Sequence, residues 1–156
     1  MRMLYLLLLL LFVSGSSYSQ DITGRWQGKS YFSGPDGDSA EVYMEIQNDF
    51  IANHFTGVTV CVSDNFYGQT SFRGYYNKRR NQYIFIENKV LNHRSSLPVI
   101  LDKYILTFKG GSGAALVGIV RCNPANADRY NKYLSCDYIR DIKLFKTTED
   151  PPAMQK

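Results

Sequence analysis

Residues 67–91 read YGQTSFRGYY, then NKRRN, then QYIFIENKVL: two stretches of alternating side chains joined by five polar residues. In the second stretch Tyr83, Phe85, Glu87 and Lys89 share one face, and Ile84, Ile86, Asn88 and Val90 share the other. Period-two alternation rich in Tyr, Phe and Ile marks strands, and a short polar turn between two such runs predicts an antiparallel hairpin. The same grammar extends outward in both directions. Upstream lie 22–32, 40–47 and 53–62; downstream lie 99–109, 114–122 and 137–146. Gly34-Pro35-Asp36-Gly37, Asp64-Asn65 and Gly110-Gly111-Ser112-Gly113 supply turn chemistry between runs. No window holds a sustained helical period; residues 124–134 are the best candidate for a turn or two of helix.

Eight antiparallel strands on short connections admit two architectures, an up-and-down barrel or a two-sheet sandwich. The glycines inside the runs, Gly24, Gly28, Gly57, Gly74 and Gly118, favour the barrel. Mid-strand glycine weakens a flat sheet but permits the sharp coiling that closure demands.

The ends are of different character. Arg2 precedes an unbroken apolar run, residues 4–13, and small polar residues follow from Ser14 to Ser19. That is the layout of a secretory signal peptide, with Ser17 and Ser19 as the small residues before the cut. Ten residues of helix span about 15 Å, half of a bilayer core, so the run is too short to be an anchor. Without residues 1–19 the chain has 137 residues, 17 basic and 14 acidic, a net charge of +3. The expectation is an exported or periplasmic monomer, not stably inserted in a membrane. One barrel domain over 20–147 is expected, with a disordered tail over 148–156. A charge this small gives no electrostatic footprint for nucleic acid. The basic, aromatic stretch Tyr75–Tyr83 reads as a solvated hairpin tip.

Export permits disulfides. Cys122 ends the seventh run and Cys136 immediately precedes the eighth, side by side in an antiparallel hairpin, so they are the expected pair. Cys61 is left as a buried thiol, although its pairing with either other cysteine stays open on sequence alone.

Chemistry is sparse. His54 and His93 have no metal-ligand spacing, no nucleophile elbow occurs, and no cofactor motif is present. Glu41 and Glu45 fall opposite Met44 and Ile46 and face solvent. Glu87 has two readings. With the Tyr83/Phe85 face inward it is a carboxylate in a semi-apolar interior; with the isoleucine face inward it is a surface acid beside Lys89. Trp26, between Gly24 and Gly28, reads as a plug at one end of a small barrel, covered by the guanidinium of Arg121 or Arg140 from the last strands.

The segment Ile22-Thr23-Gly24-Arg25-Trp26-Gln27-Gly28 resembles the opening motif of lipocalins and related calycin barrels. More closely, the chain resembles small secreted lipocalin-like proteins of Bacteroidetes. The shared features are Phe72-Arg73-Gly74, an I-x-E ending in Glu87, Tyr104-Ile105-Leu106-Thr107-Phe108, and Leu116-Val117-Gly118 followed by Cys122. The resemblance implies a barrel fold and no settled activity. The C-terminal helix and later T-D-Y motif of true lipocalins have no counterpart here.

These readings converge on a non-catalytic barrel holding a small apolar or amphipathic ligand. Phe72, Tyr83, Phe85, Tyr104 and Phe108 are the expected lining, with Glu87 as polar contact. The alternative is a packed barrel whose loops 63–70, 91–98 and 123–135 meet a protein or cell-surface partner; a hydrolase is the third and weakest reading.

Overall fold

The computed structural model of the chain describes residues 20–32, 39–94, 99–123 and 138–153. Eight strands follow one another: β1 (Gly24–Phe32), β2 (Ser39–Asn48), β3 (His54–Ser63), β4 (Phe66–Asn77), β5 (Gln82–Arg94), β6 (Asp102–Lys109), β7 (Ala115–Cys122) and β8 (Ile139–Thr147). Each pairs antiparallel with its neighbours, and β8 returns to β1, closing an up-and-down barrel. The sandwich alternative is thereby excluded. The helix candidate 124–134 lies outside the described residues.

Closure depends on small lumen-facing residues. A Cβ on Gly28 would stand 1.9 Å from the Lys143 carbonyl oxygen of β8, so β1 and β8 approach there as only glycine allows. Two register shifts in the β4–β5 ladder, at Gln69/Thr70 and Ser71/Phe72, add local coiling.

The barrel has two unlike ends. At the end where β1 begins, residues 20–23 cross beneath the lumen. Gly24, with φ of 106°, turns this segment into β1. The Trp26 indole N–H donates to the Ile22 carbonyl at 2.8 Å, and the Tyr83 hydroxyl donates to the Gln20 carbonyl at 2.9 Å. Ile22 and Trp26 are wholly buried. Phe108 meets the Trp26 ring edge-on at 6.2 Å, while Phe55 packs edge-on against Tyr83 and Phe85. Burying such rings is the main apolar contribution to this core, about 1.5–3 kcal/mol for each large side chain. We call this the closed end. The opposite end, the mouth, is where the connections 33–38, 95–98 and 124–137 attach; these lie outside the described residues.

Beyond β8, Asp150 forms an ion pair with Arg25 at 2.6 Å. Pro151 joins Arg25, Tyr43, Val58, Val60 and Gln69 in lining a hollow of about 110 Å³ on the outer face of β1–β4. The tail residues 148–153 have no regular secondary structure.

Candidate functional site

Alternation fixes which side chains enter the lumen, and in several strands the inward set includes polar or charged members near the mouth. On β5 the inward residues are Tyr83, Phe85 and Glu87, so the interior reading of Glu87 is the correct one. On β6 they are Asp102, Tyr104 and Leu106; on β8, Arg140, Ile142 and Leu144. The bulges beside Thr70 and Phe72 bring Phe72 opposite Glu87, and Thr70 swings within reach of the same carboxylate.

Three donors converge on Glu87. The Thr70 hydroxyl donates to Oε1 at 2.6 Å, the Tyr104 hydroxyl to Oε1 at 3.1 Å, and the Asp102 backbone N–H to Oε2 at 2.8 Å. Asp102 accepts from the Tyr138 hydroxyl on one oxygen and from the Arg140 guanidinium on the other. The same guanidinium lies near enough to Cys61 of β3 for its charge to act on the thiol, and 5.0 Å from the centroid of the Tyr138 ring. Arg140 therefore braces β8 to β6.

The electrostatics follow from burial. Desolvation, reinforced by the Asp102 charge, pushes Glu87 up to about 8, against the pull of its three donors. Burial also raises Asp102, partly offset by Arg140. Burial of Arg140 works against its charge, but Asp102 together with Tyr104, Tyr138 and Cys61 outweighs it, and its proton is held more tightly than usual. Cys61 is pushed up to about 11 by burial, so its thiol is protonated at neutral pH. Burial likewise raises the Tyr104 and Tyr138 phenols.

Two more hydroxyls face this region. Thr59 is Thr70's partner across the β3–β4 ladder, and Ser30 is diagonal to Arg140 across the β1–β8 ladder. Both are 1% exposed, and neither side-chain oxygen has a hydrogen-bond partner among the described residues. An unmet buried hydroxyl is costly, so each is a place for a further polar group. Around them the wall carries Ala40, Val42, Cys61 and Gly68, and the Phe66 ring and Val99 lie against Gly68.

The expected lining residues all reach the core, at different depths. Tyr83 and Phe108 belong to the closed end, Phe72 and Phe85 to the middle, where their rings pack at 5.0 Å, and Tyr104 and Glu87 to the mouth half. Neither arginine expected over Trp26 is there. Arg121 is exposed on β7, and Arg140 is paired with Phe32 at the mouth, whereas the β8 residue beside Trp26 is Lys146, whose Nζ lies 5.7 Å from the ring centroid. Trp26 is wholly buried at the closed end, with Gly24 at the turn into β1 and Gly28 against the backbone of β8. Cys61 is a free cysteine, while the expected Cys122–Cys136 pair has one member, Cys136, outside the described residues. Asp102, Thr70, Thr59 and Ser30 were not anticipated. Their signal was present: each is a polar residue in phase with an apolar face, Asp102 with Tyr104 and Leu106, Thr70 with Phe72, Thr59 with Phe55, Ser30 with Trp26.

No family model, curated protein or solved structure matches this chain. Among the described residues no group of His, Cys, Asp and Glu is placed to hold a metal ion.

Proposed function

We propose that this is an exported, non-catalytic binding protein that takes a small amphipathic ligand polar end first through the mouth of the barrel. The observation that carries the reading is the buried cluster of Glu87, Asp102 and Arg140, flanked by the unpartnered hydroxyls of Thr59 and Ser30. Specific sites use a few convergent polar groups within an apolar wall, and this is such an arrangement. Two carboxyl groups meet one guanidinium there: Asp102 is paired with Arg140, and Glu87, raised to about 8, holds its proton near neutral pH and is the group left to take a cation. Oε2 of Glu87 accepts a single hydrogen bond and keeps room for another donor. A protonated amine on the ligand would ionise Glu87 and bridge it to Thr59, whereas a carboxylate would find the one guanidinium already paired with Asp102. Kinship with secreted lipocalin-like barrels, and export through residues 1–19, are parts of the same proposal.

The test is native mass spectrometry of the protein purified after export, followed by titration with an alkylamine and a fatty acid of equal chain length. Co-purified mass above the chain mass, and tighter binding of the amine that Glu87→Gln abolishes, are expected. A bare chain that binds neither probe overturns the proposal, and the packed-barrel interaction module then takes its place.

A further inference from the structure

The closed end carries a surface that the ligand reading does not use. The β2–β3 connection, residues 49–53, presents Phe50 fully exposed and Ile51 at 61% exposure. The loop is internally tied rather than slack. Asp49 N–H donates to the His54 carbonyl at 2.9 Å, His54 N–H to the Ile51 carbonyl at 3.0 Å, and Phe50 N–H to the Asp49 carboxylate at 2.7 Å. Asn53 adopts φ of 61°, the left-handed value that completes the turn. These bonds hold two large apolar side chains outward, away from any core.

The neighbouring β4–β5 connection carries Lys78, Arg79 and Arg80, all exposed and in no ion pair among the described residues. Arg80 N–H donates to the Asn77 carbonyl at 3.2 Å and the Tyr76 hydroxyl to the Asn81 side chain at 2.8 Å, so this tip is also fixed. The two tips are joined: Tyr76 N–H donates to the Asn53 carbonyl at 2.9 Å, and His54 is the ladder partner of Tyr75. One rigid platform therefore sets an apolar pair beside three unpaired cations.

We infer that this end of the barrel docks on an anionic phospholipid surface, with Phe50 and Ile51 entering the acyl boundary and Lys78, Arg79 and Arg80 facing the phosphates. Two side chains are far too little apolar area for a stable protein interface, which buries roughly 800 Å² on each partner. A fluid bilayer asks for no matching shape; it needs an apolar point and cations on the same side, which is what the two tips provide. Docked this way, the barrel stands with its mouth turned from the membrane.

The experiment is co-sedimentation of the exported full chain with vesicles of phosphatidylcholine alone and of phosphatidylcholine mixed with phosphatidylglycerol. Binding to the mixed vesicles only, weakened by raised salt, is expected. Phe50→Ser/Ile51→Ser should reduce it at least tenfold, and serine at 78, 79 and 80 about fivefold per cation removed. Both variants alter exposed tips, and unchanged Trp26 emission verifies their fold. Failure to bind mixed vesicles, equal binding to both vesicle types, or binding indifferent to both sets of substitutions overturns the inference.

Discussion

Glu87 is the residue whose chemistry most constrains the molecule. Its ordinary value of 4.5 is raised to about 8 on folding, chiefly by desolvation and then by the Asp102 charge. Between those values the folded chain holds a proton that the unfolded chain has released, so stability falls as pH rises. Denaturant midpoints measured at about pH 5 and about pH 8 should show the protein more stable at the lower pH, by up to a few kcal/mol. Glu87→Gln should remove most of that difference. A Gln amide oxygen can take the Asp102 N–H while its NH₂ donates to the Thr70 and Tyr104 hydroxyls, both able to accept. The same pH slope in wild type and variant would show that Glu87 is not the titrating group. Cys61 obeys similar physics: with its thiol pushed up to about 11 by burial, it should react with iodoacetamide slowly when native and rapidly in denaturant. Equal rates in the two states would contradict its lumenal placement. Half of this cluster was legible from sequence, since alternation alone offered Glu87 an interior place. Asp102 was obscured because it is the first residue of its strand, where the inward face has little context behind it.

At the scale of the element, the strands are the most legible feature, because alternation is a local property of the backbone and needs no knowledge of partners. The register is different in kind. Which β8 residue lies beside Trp26 depends on the stagger accumulated around eight strands, and that stagger brings Lys146, not Arg140, to the plug. The lumenal glycines connect the two levels, being visible in sequence and decisive for closure. Gly28 is the sharpest case, since its added Cβ would collide with the Lys143 backbone, which cannot rotate away as a side chain would. Gly28→Ala should cost about 2–3 kcal/mol or more by forcing β1 from β8. Gly113→Ala, in the β6–β7 connection with nothing within 4 Å of the new atom, should be nearly neutral. Paired denaturant curves compare the two; a neutral Gly28→Ala would mean that closure tolerates a wider β1–β8 gap.

Across the whole molecule the two ends divide the work: the closed end is sealed by Ile22 and Trp26, and the mouth is organised by charge. What anchors the mouth is the start of β8, because Tyr138 and Arg140 supply both partners of Asp102. Cys136 immediately precedes that segment, and with Cys61 a free cysteine, Cys122 and Cys136 remain the pair to close it. Cys122 is buried at the mouth end of β7, opposite Asp102, and the Asn123 N–H next to it donates to the Leu101 carbonyl at 3.0 Å, so the β7 side of the proposed clasp is already fixed. Closing a loop of about 15 residues should add on the order of 3 kcal/mol. A non-reducing peptide map is expected to link the Cys122 and Cys136 peptides, and Cys122→Ser/Cys136→Ser to lower the denaturant midpoint by a matching amount. If the proposed clasp acts on the mouth alone, the double variant should bind an alkylamine more weakly while its Trp26 emission stays as in wild type. A map linking Cys61 instead would move the clasp to β3, and a variant that loses the buried Trp26 signal along with the mouth would show that the two ends are one cooperative unit and not two.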